Sequence, residues 1–256
     1  MRQGVRVVSR PIFRLREKKA ILLDLQNTLV NPQAARLAAL RESIEEFTSR
    51  WLTEEELAAT GWDAQQSAQR YADLSRGKRT TAEQLEALEL ALQPSPFPIT
   101  PPFLVRVWQR ARELTPLHAQ PYPHTRDALE QLQNIGYTLA IITNGSPDTA
   151  MLALHSSGLK PLFADNRIFA AANPKKRKPN AELFTQALKQ LGIHPAQAVM
   201  VGNSWRNDIQ GAAAVGMDSV WIRRRLPGTK KTARRKIGRN RVIIVSRIRS
   251  LLDLFE

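Results

Sequence analysis

The sequence predicts an α/β protein in which an all-helical insertion follows the first strand of a parallel sheet. From residue 121 to the C-terminus, short apolar runs alternate with amphipathic helical patterns, as in a mainly parallel sheet covered on both faces. Between residues 31 and 120, helical patterns follow one another without a strand pattern. We therefore predict one domain formed by residues 1–30 and 121–256, with residues 31–120 inserted as a second, helical domain.

The first predicted strand lies in the stretch ILLDLQNTLV, residues 21–30. Its apolar residues indicate a buried strand, and Asp24 follows them as a single carboxylate. Gln26 and Thr28 come next, in the loop that we expect after the strand. This segment therefore predicts an acidic group delivered to the end of a buried strand.

The inserted segment is predicted to begin with a helix, because apolar residues recur at steps of three and four at Leu37, Leu40, Ile44, Phe47 and Trp51. Capping boxes predict two further helix starts, at Thr53 with Glu56 and at Thr81 with Gln84, and a third helix lies between them around Tyr71 and Leu74. Five prolines between residues 94 and 102 exclude a helix or a central strand there. A last helix is predicted around residues 103–114, and we expect its tryptophan, like the others in this segment, to be a core residue.

The remaining elements alternate. Helices are predicted to end at Gly136 and Gly192, residues suited to left-handed caps, and further helices follow residues 147 and 204. The predicted strands are 138–143, a short strand at 168–169, 199–202, 219–222 and 242–245, and a final helix leads to the C-terminus.

The formal charge of +15 is concentrated at two places. Residues 1–20, which include the basic N-terminal segment 1–19, hold seven Arg or Lys and one Glu, whereas residues 223–241, predicted as a basic loop, hold ten Arg or Lys and no acid. The rest of the chain is therefore nearly neutral. Segments of this kind can attract nucleic acid or another polyanion, and they can equally be solvated loops without a ligand, so both interpretations stay open.

Several classes of protein are excluded by composition. No apolar run approaches the roughly 20 residues needed to span a bilayer, so no membrane partner is expected. The chain has no cysteine, which excludes disulfides and thiolate sites and agrees with a cytoplasmic location. The basic N-terminus lacks the apolar stretch of a secretory signal, although its arginine-rich composition is also compatible with an organelle transit segment.

Polar residues follow three of the predicted strands. They are Asp24, Gln26 and Thr28 after the first, Thr143 and Asn144 at the second, and Asn203 and Asp208 after the strand at 199–202; Lys178 lies between the last two groups. Because parallel strands direct their carboxyl ends to one edge of the sheet, we expect these residues to meet there. A carboxylate can attack phosphorus, a hydroxyl, a backbone N–H and a lysine can hold phosphoryl oxygens, and oxygen ligands can hold Mg²⁺. The set predicts phosphoryl transfer.

Four stretches, DLQNTL, ITNGS, RKPNAELF and VGNSWRNDIQGAAAVGM, resemble the four motifs of the haloacid dehalogenase (HAD) superfamily. The match is to the branch whose helical cap is inserted between motifs one and two, it covers about residues 18–256, and it is most specific in the fourth motif. The resemblance implies a Rossmann-like parallel sheet core and a Mg²⁺-dependent phosphatase that acts on a small phosphorylated substrate through an aspartyl-phosphate.

By the same resemblance, Asp24 would be the nucleophile and Lys178 would stabilise the phosphoryl group, which Thr143 and Asn144 would bind. Position 26 would be catalytic, and its backbone carbonyl would hold Mg²⁺. The other metal ligands would be Asp24, Asn203 and Asp208.

Two positions depart from the family pattern, since Gln26 and Asn203 stand where the family usually carries aspartate. An amide at position 26 can form hydrogen bonds but cannot exchange a proton, and loss of a general acid/base typically costs ~10²–10⁴-fold in rate. The expected activity is therefore that of a slow phosphatase. The alternative is a catalytically impaired protein that binds phosphate or nucleic acid; a 2-haloacid dehalogenase, in which Asp24 attacks carbon without a metal, is the least favoured.

Overall fold

The computed structural model describes residues 11–78, 80–171, 173–224 and 232–256. The chain divides into two compact units, which are residues Met1–Val30 with Pro121–Glu256 and residues Asn31–Gln120. The first unit contains the sheet, whereas the second consists of helices and loops in its described part. The first ten residues and residues 225–231, which belong to the two predicted basic segments, lie outside the described residues.

The described residues form one mixed sheet of seven strands in the order β3-β2-β1-β4-β5-β7-β6. All neighbouring pairs are parallel except β6 with β7. The predicted α/β class with a mainly parallel sheet is therefore confirmed. The strands are β1 (Ala20–Leu23), β2 (Thr138–Thr143), β3 (Ile168–Ala170), β4 (Ala198–Gly202), β5 (Asp218–Ile222), β6 (Thr232–Ile237) and β7 (Asn240–Val245).

The sheet is central in its unit because its middle strands are apolar on both faces. Every residue of β1 and β4 is buried, which explains why β1 shows a continuous apolar run instead of alternation. Leu22, Ile142 and Met200 from three adjacent strands pack with Phe184 of α8 in one buried cluster. The helices of this unit are α6 (Thr125–Ile135), α7 (Pro147–Ser156), α8 (Ala181–Leu191) and the short α9 (Gly211–Ala214), which a π-helical turn, Trp205–Gln210, precedes.

The second unit packs its helices around a core that includes Ile44, Leu88, Phe103 and Val107. Its helices are α1 (Pro32–Thr48), α2 (Glu54–Thr60), α3 (Ala64–Leu74), α4 (Thr81–Leu92) and α5 (Pro101–Leu114). The capping box at Thr53 and Glu56 is confirmed, but the second box uses Thr80 and Glu83, one residue earlier than predicted. Trp51 lies beyond the end of α1 and is 47% exposed, so its assignment to the core was wrong.

Strand β6 is a correction to the predicted basic loop 223–241. Residues Thr232–Ile237 pair antiparallel with β7 and form the edge of the sheet, with a turn at Gly238 that has a positive φ of 57°. Three consecutive cationic residues, Arg234, Arg235 and Lys236, hide the alternation that normally indicates a strand, and all three are exposed. The final helix predicted near the C-terminus is a 3₁₀ helix over Ile248–Asp253. Among the described residues, no helix combines the length and the apolar content needed to cross a bilayer.

An ion-pair network ties the N-terminal segment to the sheet. Asp218 at the start of β5 accepts from Lys18 Nζ at 2.8 Å and from the backbone N–H of Arg241 at 2.6 Å. Arg241 Nε donates to the same carboxylate at 2.9 Å. Burial alone would raise the pKa of Asp218, but the bonds from Lys18 and Arg241 outweigh it and hold the pKa below its ordinary value.

Asp218→Asn should destabilise the protein by about 3 kcal/mol, because it leaves the charge of the buried Lys18 without its partner. The pKa of Asp218 is lowered in the folded state, so its stabilisation is complete above the unfolded pKa of about 3.9 and is lost as the pH falls through the folded value. Urea unfolding at pH 7 and at acidic pH measures the difference in free energy of unfolding between the unaltered protein and the variant, and this difference should shrink in acid. Asp165→Asn removes an exposed pair with Lys160 and should leave the midpoint nearly unchanged; equal effects of the two substitutions would contradict the assignment.

Candidate active site

Asp24 lies at the carboxyl end of β1, at the centre of the sheet. Its backbone N–H donates to Val201 O at 2.9 Å and so continues the pairing of β1 with β4 by one residue. The residue is only 7% exposed. One carboxylate oxygen, Oδ1, accepts from Lys178 Nζ at 2.8 Å, and the other, Oδ2, accepts from Thr28 Oγ1 at 2.9 Å. Both carboxylate oxygens are therefore held in place at the carboxyl end of β1.

Lys178 joins the two acidic residues of the site. Besides Asp24, its Nζ donates to Asp208 Oδ1 at 2.6 Å and to the backbone O of Ile142 at 2.8 Å, so all three ammonium hydrogens have an acceptor. Burial lowers the Lys178 pKa, but the carboxylates of Asp24 and Asp208 outweigh it and raise that pKa above its ordinary value. Lys178 is therefore a fixed positive charge at neutral pH.

Asn144 positions Lys178 through the backbone. Its Oδ1 accepts from the N–H of Lys178 at 2.7 Å, and its Nδ2 donates to the carbonyl of Lys178 at 3.0 Å. The preceding residue, Thr143, ends β2, is almost fully buried, and accepts through Oγ1 from the N–H of Gly145 at 3.3 Å. The Asn144 side chain is thus engaged with Lys178, which leaves its backbone N–H and the Thr143 hydroxyl as the groups suited to a phosphoryl oxygen.

Asp208 reaches the site from the π-helical turn after β4. It is 1% exposed, and its Oδ2 accepts from the N–H of Ser204 at 2.8 Å. A side-chain carbon at Gly202 would collide with this carboxyl, so only glycine permits the close approach. Burial, together with the nearby charge of Asp24, raises the pKa of Asp208 to about 6 although Lys178 opposes the shift.

Asn203 and Gln26 form the oxygen-rich side of the site. Hydrogen bonding directs the Asn203 Nδ2 to Thr28 Oγ1 and Asp24 Oδ2, both at 3.3 Å, and to the backbone O of Gln26 at 3.2 Å. The Gln26 side chain is half-buried and forms no hydrogen bond within the described parts of the chain. Gln26 and Asn203, the two positions where the family pattern has aspartate, therefore lie together with Asp24 in one oxygen cluster.

The oxygen cluster offers the kinds of ligand that Mg²⁺ binds, namely a carboxylate, a backbone carbonyl and a side-chain amide. No three acidic or histidine side chains come together as a metal site in the described part of the chain, but Mg²⁺ accepts one or two carboxylates, carbonyl oxygens and waters. The Asn203 amide nitrogen lies 3.3 Å from Asp24 Oδ2 and 3.2 Å from the Gln26 carbonyl oxygen. The Asn203 amide must turn over to present its oxygen to a cation, and the cluster contains only one carboxylate charge. Asp208, the fourth predicted metal ligand, is instead bonded to Lys178 and Ser204.

The end of β5 supplies two residues that the sequence analysis missed. Trp221 Nε1 donates to the backbone O of Asn203 at 2.9 Å, and its ring packs against that of Trp205 with 4.9 Å between centroids. Arg224 donates to the carbonyls of Asn27 and Thr28 at 3.2 and 2.9 Å and lies over the Tyr122 ring. Trp221 thus fixes the backbone of the loop that carries Asn203, and Arg224 fixes that of the loop that carries Gln26. Neither residue has a signal in the sequence, because they lie in or beside a basic run without a recognisable motif.

The comparisons with known proteins agree with this arrangement. A family model described as haloacid dehalogenase-like hydrolase matches residues 18–216. Glyceraldehyde 3-phosphate phosphatase from Methanopyrus kandleri is 28% identical over 211 residues, which cover 80% of this chain and 84% of the relative. The enzyme of the same name from Methanothermobacter thermautotrophicus is 29% identical over 135 residues, which cover 52% and 59%; this match spans little more than half of the relative's length. Among solved structures, YfnB from Bacillus subtilis bound to magnesium has a TM-score of 0.59 at 22% identity and covers 92% of this chain and 97% of YfnB.

Proposed function

The chain belongs to the haloacid dehalogenase-like hydrolase family, and on that premise we propose that it is a Mg²⁺-dependent phosphatase that forms an aspartyl-phosphate on Asp24. The observation that carries the proposal is the placement of Lys178, whose ammonium lies 2.8 Å from Asp24 and 2.6 Å from Asp208 at the carboxyl ends of the strands. This arrangement fixes a nucleophilic carboxylate and a positive charge side by side in a buried site, as phosphoryl transfer requires. The named phosphatase relatives support the same reaction class.

In the first step, a carboxylate oxygen of Asp24 attacks phosphorus, and the bond to the leaving oxygen breaks with its electron pair. Lys178, the Thr143 hydroxyl and the Asn144 N–H bind the phosphoryl oxygens and offset their charge. Mg²⁺, when bound by Asp24, the Gln26 carbonyl and Asn203, supplies further positive charge to those oxygens. In the second step, water attacks phosphorus, its proton passes to solvent, and Asp24 is released as a carboxylate with inorganic phosphate as the product.

Gln26 determines which substrates fit this mechanism. The side chain at this position cannot protonate a leaving oxygen. The leaving group of the substrate must therefore be stable as an anion. Acyl phosphates and aryl phosphates meet this condition, whereas an alkyl ester leaves as a strongly basic alkoxide. We therefore propose a small phosphorylated substrate with an acidic leaving group, selected by the helical unit, residues 31–120, acting as a cap.

Steady-state assays with acetyl phosphate, p-nitrophenyl phosphate and glycerol 3-phosphate test this proposal. We expect Mg²⁺-stimulated release of phosphate from the first two substrates and turnover of glycerol 3-phosphate that is lower by ~10²–10⁴-fold. No Mg²⁺-stimulated turnover of either activated substrate would contradict the proposal. Release of chloride from 2-chloropropionate without Mg²⁺ would favour the dehalogenase instead.

Asn203→Asp should raise the affinity for Mg²⁺ by about tenfold or more, because it adds a second negative charge to the oxygen cluster and removes the need to turn an amide. Isothermal titration with Mg²⁺ in the absence of substrate measures this directly. Asn207→Asp is the matched control, since it adds the same charge four residues later in the chain but outside the cluster. Equal gains in the two variants would show that general charge, and not the cluster, determines the affinity.

A further inference from the structure

A basic groove of about 710 Å³ lies along the edge strand β6, and four of its lining residues are cationic: Arg234, Arg235, Lys236 and Arg241. None of the described lining residues is acidic. Arg241 is paired with Asp218, but the other three are exposed and have no carboxylate partner in the described part of the chain. The groove therefore presents three uncompensated positive charges to solvent.

The basic groove is distant from the candidate active site. In the sheet order, β4, β5 and β7 separate β6 from β1, which delivers Asp24. Four strand spacings correspond to about 19 Å. This exceeds the Debye length of about 8 Å at physiological ionic strength, so the groove cations act little on the catalytic charges. A ligand of the groove is therefore a separate partner and not the phosphatase substrate.

We propose that the basic groove binds the phosphodiester backbone of a nucleic acid duplex, independently of its sequence. A duplex carries one negative charge per about 1.7 Å of its axis when both strands are counted, so about 20 Å of duplex, the length of a six-residue strand, holds about a dozen phosphates, of which only those on the near side can contact the groove. Arg234 and Lys236 point to the same side of the strand, about 7 Å apart along it, and can engage different phosphates. The cations spaced along β6 thus match the phosphates spaced along a duplex.

The lining of the groove excludes two other modes of binding. None of the described residues that line it is aromatic, so they offer unpaired bases no stacking surface, and recognition through the backbone of a duplex is favoured over recognition of single strands. Its apolar residues are Pro11, Ile12 and Ile243, none of which is exposed. The exposed large apolar side chains of the described residues all lie elsewhere, so the groove has no group that could insert into an anionic membrane.

The two segments that supply residues to the groove are positively charged, like the groove itself. Residues 223–241 hold ten Arg or Lys without an acid, and residues 1–20, which reach the groove at Pro11 and Ile12, have a net charge of +6. The remainder of the chain is nearly neutral. The two basic segments of the sequence are therefore the ones that supply lining residues of the groove, which favours a polyanion as its ligand.

Fluorescence anisotropy with a labelled RNA duplex of about 20 base pairs, between about 50 and 200 mM KCl, tests the proposal. We expect binding whose log Kd rises linearly with log salt concentration. The variant R234A/R235A/K236A should bind at least tenfold more weakly at the lowest salt, and its salt slope should fall by about 2–3. A DNA duplex of the same sequence should bind within about tenfold, because the groove contacts only the backbone.

The matched control is R70A/R106A/K189A, which removes the same charge at exposed positions that do not line the groove. It should keep the affinity and slope of the unaltered protein, and equal weakening of both variants would overturn the groove assignment. Absence of duplex binding by the unaltered protein, or binding of phosphatidylserine vesicles without duplex binding, would also overturn it. The groove variant should retain p-nitrophenyl phosphate turnover, which shows that it is folded; Asp24→Asn should retain duplex binding, so the two proposals fail separately.

Discussion

Asp24→Asn should lower the rate of p-nitrophenyl phosphate hydrolysis by about 10⁴-fold or more, because an amide cannot form the aspartyl-phosphate. The substitution preserves the shape of the side chain and leaves Lys178 paired with Asp208. The variant should therefore still fold and bind inorganic phosphate. Initial-rate assays, together with calorimetric titration of phosphate, distinguish loss of chemistry from loss of binding.

Asp148→Asn is the control for this prediction, because it makes the same chemical change in the first turn of α7, outside the candidate site. It should leave the rate unchanged. If Asp24→Asn retained more than about a tenth of the activity, Asp24 could not be the phosphoryl acceptor, whatever the effect of the control.

Gln26→Asp should raise the turnover of glycerol 3-phosphate by up to ~10²–10⁴-fold, because it supplies the proton donor that an alkyl leaving group needs. Acetyl phosphate has a far less basic leaving group, so its first step gains little from the new acid. Its turnover should rise less, and only because the aspartate activates water for hydrolysis of the aspartyl-phosphate. The ratio of the two gains, from steady-state kinetics, identifies the effect as protonation of the leaving group. Since the backbone carbonyl at position 26 is unchanged, the metal ligands of the oxygen cluster are retained.

Gln26→Asn is the matched control, with the length of aspartate but no acid. It should leave both rates close to those of the unaltered protein. If Gln26→Asp changed neither substrate's turnover, the missing acid would not be what limits the rate, and the alternative of a catalytically impaired protein that binds phosphate or nucleic acid would gain support.

The acidic and basic residues of the site could be predicted because each follows its own strand or opens its own helix. Asp24, Lys178 and Asp208 are far apart in sequence, but the rule that parallel strands end at one edge brings them together, and the structure places Lys178 Nζ within 2.8 Å of both carboxylates. The buried runs of β1 and β4 are similarly evident, because a strand that is covered on both faces is apolar throughout.

Other features could not be predicted, because they depend on contacts that leave no local pattern. Arg224 holds the carbonyls of Asn27 and Thr28, and any arginine of the basic run could have done so. The sequence also gives no sign that the Asn144 side chain holds the backbone of Lys178, which is 34 residues away. Strand β6 was missed because an edge strand with exposed cations needs only its partner β7, and its sequence shows no apolar face.

The substitution of both family acids changes the charge of the site in a specific way. Asp24 and Asp208 are the two carboxylates there, and both are bonded to the one ammonium of Lys178. The oxygen cluster formed by Asp24, Gln26 and Asn203 therefore keeps one full negative charge, already partly offset by Lys178. Under the proposed function, this arrangement keeps the nucleophile and the phosphoryl-binding groups but weakens cation binding and proton transfer. We therefore expect a slow enzyme and not an inert fold.

Rapid-quench kinetics with p-nitrophenyl phosphate tests the central claim most directly. With an acidic leaving group, formation of the aspartyl-phosphate needs no acid at position 26, whereas its hydrolysis lacks a base to activate water. We therefore predict a burst of p-nitrophenol approaching one equivalent per protein, and a covalent phosphoryl group on Asp24 that borohydride reduction and peptide mass spectrometry locate. A linear time course with no label on Asp24, in a protein that still hydrolyses the substrate, would contradict the account.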